Sequence, residues 1–162
     1  MVLLRYGYIL ALTLWLGGMV TLGAISAPAT FAVLQAESPT QGRAQAGAVF
    51  GETLKRFQWI TYGCGIVMLV FLGTIAILGP RPPNFAVRMT IVAAMLGISL
   101  YSGVWVTGEI ERLQTEIGAP VSSLPDGDPR RGRFGRLHGL STVLMMLNVG
   151  GCLVLLSWEA LE

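Results

Sequence analysis

The single histidine of the chain, His138, is followed at seven-residue intervals by Met145 and Cys152. Imidazole, thioether and thiol are ligands for a transition metal or a haem iron, and a seven-residue repeat brings all three to nearly one face of a helix. The same geometry argues against a shared coordination sphere. Seven helical residues rise ~10.5 Å, while metal–ligand bonds are only about 2 Å long, so a metal would need ligands from other segments. With one histidine, a bis-histidine haem requires two copies of the chain, and a His/Met haem must recruit Met19, Met68, Met95 or Met146. A haem or another metal centre is therefore the cofactor to expect if His138 is a ligand. The alternative is a hydrogen-bonded structural imidazole.

The elements that would position these groups are apolar. Of 162 residues, 53% are hydrophobic and 12% charged, and the mean hydropathy is +0.65, well outside the range of soluble globular domains. Four stretches carry no Asp, Glu, Lys or Arg: Tyr6 to Ala36, Phe57 to Pro80, Met89 to Gly108 and Leu137 to Trp158. Each can cross roughly 30 Å of hydrocarbon at about 1.5 Å per residue. Backbone in lipid must satisfy its own polar groups, and no alternating ten-residue pattern of a barrel occurs, so the spans are helical. The expected architecture is an all-α membrane protein, a four-transmembrane-helix bundle with helical cytoplasmic extensions. It forms a single domain over 1–162, with spans near 6–27, 58–79, 88–108 and 138–158. The first apolar run is too long for a cleaved signal segment and is expected to be retained.

Basic residues orient the bundle. The two long connections carry Arg43, Lys55, Arg56, Arg112, Arg130, Arg131, Arg133 and Arg136, against Arg5, Arg81 and Arg88 at the termini and the short loop. Eight against three places the long connections in the cytoplasm and both termini outside. Tyr6, Tyr8 and Trp158 then fall at the outer boundary, and Trp59, Tyr62 and Trp105 at the inner one, as aromatic belts. With Cys64 near the inner end of the second span and Cys152 well out along the fourth, their depths differ by roughly 10 to 15 Å. That exceeds the reach of a disulfide, so free thiols are expected.

The connections have helical character. Ser38-Pro39-Thr40-Gln41 reads as a cap, a first-turn proline and a capping-box glutamine. Ala46, Val49, Phe50, Leu54 and Phe57 follow at three- and four-residue spacings. This segment either lies on the inner surface and bends into the second span near Gly47 or Gly51, or simply extends that span. The third span runs on through Glu109, Glu111, Arg112 and Glu116, with an expected Arg112–Glu116 pair, and stops near Gly118 and Pro120. Asp128-Pro129 reads as the cap and first position of the last helix. Arg130, Arg131 and Arg133 beneath the fourth span are expected to meet anionic headgroups; the cluster is too small to imply nucleic acid.

Every span carries glycine or alanine, including Gly17, Gly18, Gly63, Gly65, Gly73, Gly97, Gly139, Gly150 and Gly151. In lipid, small residues let helices approach closely. No phosphate-loop motif, H-E-x-x-H motif, Ser-His-Asp arrangement or paired intramembrane carboxylates appear, so catalysis is not expected. Pro28, Trp105, Glu109, Arg136, His138 and Ser141 are expected at one level near the inner surface, where they would line a cytoplasm-facing polar pocket. Ordinary capping of helix ends is the competing reading.

Three segments carry a resemblance: Leu14-Trp15-Leu16-Gly17-Gly18-Met19-Val20, Ala27-Pro28-Ala29-Thr30-Phe31-Ala32-Val33-Leu34, and Phe134-Gly135-Arg136-Leu137-His138-Gly139-Leu140-Ser141. Together they resemble the small bacterial membrane proteins grouped with human transmembrane protein 205, some of them named for likeness to copper-resistance membrane proteins. The resemblance implies four helices in a bacterial cytoplasmic (inner) membrane and carries no assigned activity. Its His-Gly-Leu-Ser motif maps onto His138 to Ser141, and its Pro-x-x-Phe onto Pro28 and Phe31. Relatives tend to place Asn seven residues after the histidine, where this chain has Met145 and reaches an Asn only at Asn148. The reading that asks least of the sequence is an accessory protein binding lipid and a membrane-protein partner or a second copy of itself. A haem- or metal-binding redox protein using His138 and a small transport or resistance protein are the alternatives.

Overall fold

The computed structural model describes residues 2–38, 41–79, 81, 83–125 and 127–161. Among them are four long helices, each apolar enough to cross a membrane: α1 (Val2–Glu37), α2 (Gly42–Leu78), α3 (Phe85–Ile117) and α4 (Pro129–Ala160). The all-α expectation holds, and the chain is a multi-pass membrane protein by length and composition. Helices of 36, 37, 33 and 32 residues run about 50 Å at 1.5 Å per residue, well beyond a hydrocarbon core of roughly 30 Å. The surplus forms helical extensions at the end where α1 meets α2 and α3 meets α4, called here the extension end. The opposite, terminal end holds both chain ends and the α2–α3 turn.

Contacts join α1 to α2, α2 to α3, α3 to α4 and α4 to α1, so consecutive helices are neighbours and run antiparallel, as their short connections require. The main core lies among all four: Leu12 and Trp15 of α1, Met68 and Leu72 of α2, Val92 and Met95 of α3, and Cys152 and Leu155 of α4. A smaller cluster of Val106, Leu113 and Leu137 joins α3 to α4 at the extension end.

Two helices contain a π-helical turn. In α1, Leu22–Ser26 widens the helix just before Pro28. Pro28 lacks the N–H that an α-helix needs at that point, and the turn lets the chain continue to Glu37 instead of ending there. In α3 the π turn is Tyr101–Val106, closed by the Thr107 N–H donating to the Ser102 carbonyl.

Helix α2 is continuous from Gly42, without a break at Gly47 or Gly51, so the amphipathic segment extends the second span rather than bending onto a surface. Pro39 and Thr40 of the expected cap lie outside the described residues. Ser38 Oγ accepts a hydrogen bond from the Gln41 N–H, and Gly42 follows with its Cα against the Leu34 carbonyl, where any side chain would collide. At the other extension, Gly118 closes α3 at φ +63°, a conformation open to glycine. Asp128 caps α4 by accepting from the Arg130 N–H at 2.8 Å, with Pro129 in the first turn, as the sequence implied.

Candidate functional site

Trp105, Glu109 and His138 of the expected pocket each engage residues outside it. His138 is exposed on α4 and stacks on Phe134, with ring centroids 6.3 Å apart. Trp105 is exposed on α3 and stacks on Tyr101 at 5.2 Å. Glu109 bonds Arg133 at 2.7 Å and Arg112 at 3.2 Å, so Arg112 turns back to Glu109 rather than forward to Glu116. Pro28 and Arg136 are exposed and Ser141 is half-buried. Of the arginines beneath the fourth span, Arg130 pairs with Asp128 at 2.7 Å, Arg133 with Glu109, and Arg131 donates to the Leu124 carbonyl at 3.3 Å. Among the described residues no three His, Cys, Asp or Glu side chains come close enough to hold a metal ion.

The thiols are free and buried, but not for the expected reason. Cys64 and Cys152 belong to one core cluster and stand at one level, with Gly65 against Leu96 and Gly151 against Met95. Because α2 begins at Gly42, Cys64 sits mid-helix rather than near an inner boundary.

Buried charge lies elsewhere than at His138. At the terminal end Arg88 of α3 is 2% exposed and forms a short bond to Glu159 of α4, at 2.5 Å with the carboxylate 6% exposed. Arg5 of α1 reaches the other oxygen of Glu159 at 3.0 Å, and the Arg88 guanidinium lies 5.8 Å from the Trp158 ring. Arg88 and Glu159 each sit one residue outside a charge-free stretch, and the antiparallel α3–α4 arrangement makes them neighbours. Tyr8 is also buried, at 1%, rather than in an aromatic belt.

Deeper in the helices a polar thread crosses from α4 to α2. Asn148 donates from Nδ2 to Ser99 Oγ at 3.0 Å, buried from solvent. The Ser99 carbonyl accepts from Gln58 Nε2 at 2.7 Å and from the Tyr62 hydroxyl at 3.4 Å. That carbonyl lies just before the π turn.

Gln58 and Tyr62 are also the floor of a groove of about 310 Å³ between α2 and α3. From α2 come Lys55, Gln58, Trp59 and Tyr62; the facing wall is Val104, Thr107, Gly108 and Glu111, with Gly103 at the bottom. Both sets repeat at three- and four-residue spacing, the signature of one helix face. A side chain at Gly103 would collide with the Tyr62 hydroxyl and the Gln58 amide. Lys55 and Glu111 form an ion pair at the mouth, each about half-exposed. Trp59 is exposed and meets Tyr62 edge-on at 5.8 Å. Sequence reasoning took Trp59 and Tyr62 as belt aromatics and Lys55 and Glu111 as charges of helical extensions. The signal that finds them is the matched spacing of 55, 58, 59, 62 with 104, 107, 108, 111 on neighbouring antiparallel helices.

Gly7, Gly18, Gly65, Gly103 and Gly151 abut side chains of neighbouring helices; glycines with open space where a Cβ would stand occur on all four helices, among them Gly17, Gly63, Gly73 and Gly97, and on α4 they are Gly132, Gly135, Gly139 and Gly150. These four fall within about 60° of one another around α4 at 100° per residue.

A family model described as a domain of unknown function, DUF4149, matches residues 10–119, and the chain belongs to that family. The match spans α1 to α3 and includes the α2–α3 groove; His138 to Ser141 lie beyond it. No curated protein and no solved structure matches the chain.

Proposed function

We propose that this DUF4149 protein is an accessory membrane protein that offers α4 to a partner helix. The observation that carries this is the open glycine stripe of Gly132, Gly135, Gly139 and Gly150. It lies on the helix whose apolar window is least covered, 17% buried against 28% for α2. Helix association in lipid depends on close backbone approach across small residues, and a stripe of this length with no partner in the chain suits that use. The simplest partner is α4 of a second copy, since a glycine groove is self-complementary across a two-fold axis. The excess of Lys and Arg at the extension end supports a cytoplasmic placement for that end, with both termini outside. The motif likeness around Trp15, Pro28 and His138 supports grouping with transmembrane protein 205 in a bacterial inner membrane.

The test is association in a bilayer. Fluorescence transfer between differently labelled copies in liposomes is expected to be strong for the native chain and reduced at least fivefold by Gly139→Leu with Gly150→Leu. Equal transfer in both, or none in either at high protein-to-lipid ratio, overturns the homotypic form of the reading.

A further inference from the structure

We infer that the groove between α2 and α3 is a site for a zwitterionic phospholipid with a primary ammonium headgroup, taking its phosphate on Lys55 and its ammonium on Glu111. The groove is open on its side. Its rim is made of exposed large apolar groups, Trp59 on α2 and Val104 on α3. A surface that is charged at one end and exposed and apolar at the rim suits an amphiphile lying alongside the helices rather than a soluble metabolite.

Charge selects the headgroup. Lys55 and Glu111 face each other across the mouth, half-exposed, so an anionic headgroup would meet Glu111 and a cationic one Lys55. A zwitterion satisfies both. Glu111 already pairs with a primary ammonium, the Lys55 Nζ, and a headgroup ammonium would replace it with the same charge and N–H donors. A quaternary ammonium has no N–H to offer there. An exposed pair of this kind holds its geometry weakly, so the headgroup can insert between its members.

The floor is built rather than incidental. Gln58 and Tyr62 are both tied to the Ser99 carbonyl, and the π turn over Tyr101–Val106 sets the wall that follows. Such turns recur at functional positions because they alter the direction of the side chains beyond them. Gly103 lets the Tyr62 hydroxyl and the Gln58 amide close on the α3 backbone, where a Cβ would collide with both.

The experiment is native mass spectrometry of the full chain released from nanodiscs of equal phosphatidylethanolamine, phosphatidylglycerol and phosphatidylcholine. Phosphatidylethanolamine is expected to be retained at least fivefold over each of the others, and Lys55→Gln and Glu111→Gln are each expected to abolish that preference. Both positions are half-exposed, and an unchanged melting temperature in detergent checks that the variants fold. Equal retention of the three lipids, a preference for phosphatidylglycerol, or native-like retention by either folded variant overturns the site. Gly139→Leu with Gly150→Leu leaves the preference intact, which separates this site from the α4 association.

Discussion

The two ends of the molecule use the same ionic chemistry at opposite burial. At the terminal end Glu159 sits 6% exposed against Arg88 at 2%, with Arg5 on its second oxygen. At the extension end Glu109 holds Arg133 at 53% exposure, and Lys55 meets Glu111 in the open. The first arrangement ties α1, α3 and α4 together through one buried carboxylate. The second leaves its charges exchangeable. An ionic pair in this protein is therefore an anchor or a docking point according to its access to water and headgroups, and only the second kind is free to recognise anything.

The comparison breaks first at Glu159. Removing it takes the carboxylate from the buried Arg88 guanidinium, and Glu159→Ala is expected to cost about 3–5 kcal/mol, measured by unfolding of the detergent-solubilised protein. The paired change Arg88→Met with Glu159→Met should recover most of that loss, because apolar groups of similar volume avoid burying charge at all. If the single variant is as stable as the native chain, the terminal end is not an anchor.

An intermediate effect is expected where polarity is buried without charge. Asn148→Ala removes the bond to Ser99, and interhelical hydrogen bonds of this type in membrane proteins contribute about 1 kcal/mol. The same unfolding measurement should resolve it. At the extension end Glu109→Gln is expected to change stability by less than about 1 kcal/mol. The difference from native should vanish in high salt, which screens exposed pairs; a salt-independent loss of several kcal/mol would erase the contrast between the ends.

The smallest effect is a pH dependence at the α4 cap. The side-chain bond from Arg130, and then its backbone N–H, hold the Asp128 carboxyl below the ordinary carboxylate range. A lowered folded pKa means that this stabilisation is complete above the unfolded value of about 3.9 and is lost as pH falls through the lower folded value. Asp128→Asn keeps an acceptor for the cap while removing that titration. Helical content followed from pH 7 to 2 should therefore fall less steeply at the acid end in the variant.

Much of the fold was legible because it depends on local rules. The charge-free runs marked the spans, Asp128-Pro129 marked the start of α4, and Gly118 the end of α3. The buried ionic anchor was not legible, since dividing the chain at its charges removes Arg88 and Glu159 from the helices they hold. The Cys64 depth was misjudged because the second span was taken to start where charges end, while α2 runs through Lys55 and Arg56 from Gly42. The α2–α3 groove was half-written in the spacing of Lys55, Gln58, Trp59 and Tyr62. Its other half depends on the π turn, which no residue type announces. The glycines marked close approach but not its partner, and only the packing separates Gly65, pressed between helices, from Gly139, left open.

The π turn of α3 can also be regarded as a residue of slack in the helical count. Every position beyond it is rotated by about 100° relative to an uninterrupted α-helix. Deleting one residue between Tyr101 and Val106 would reset that phase. Thr107, Gly108 and Glu111 would swing away from α2, and Leu113 would leave the cluster it shares with Leu137, while the helix upstream to Phe85 kept its register. One residue therefore keeps the lower half of α3 in step with the same α2 and α4 that its upper half meets.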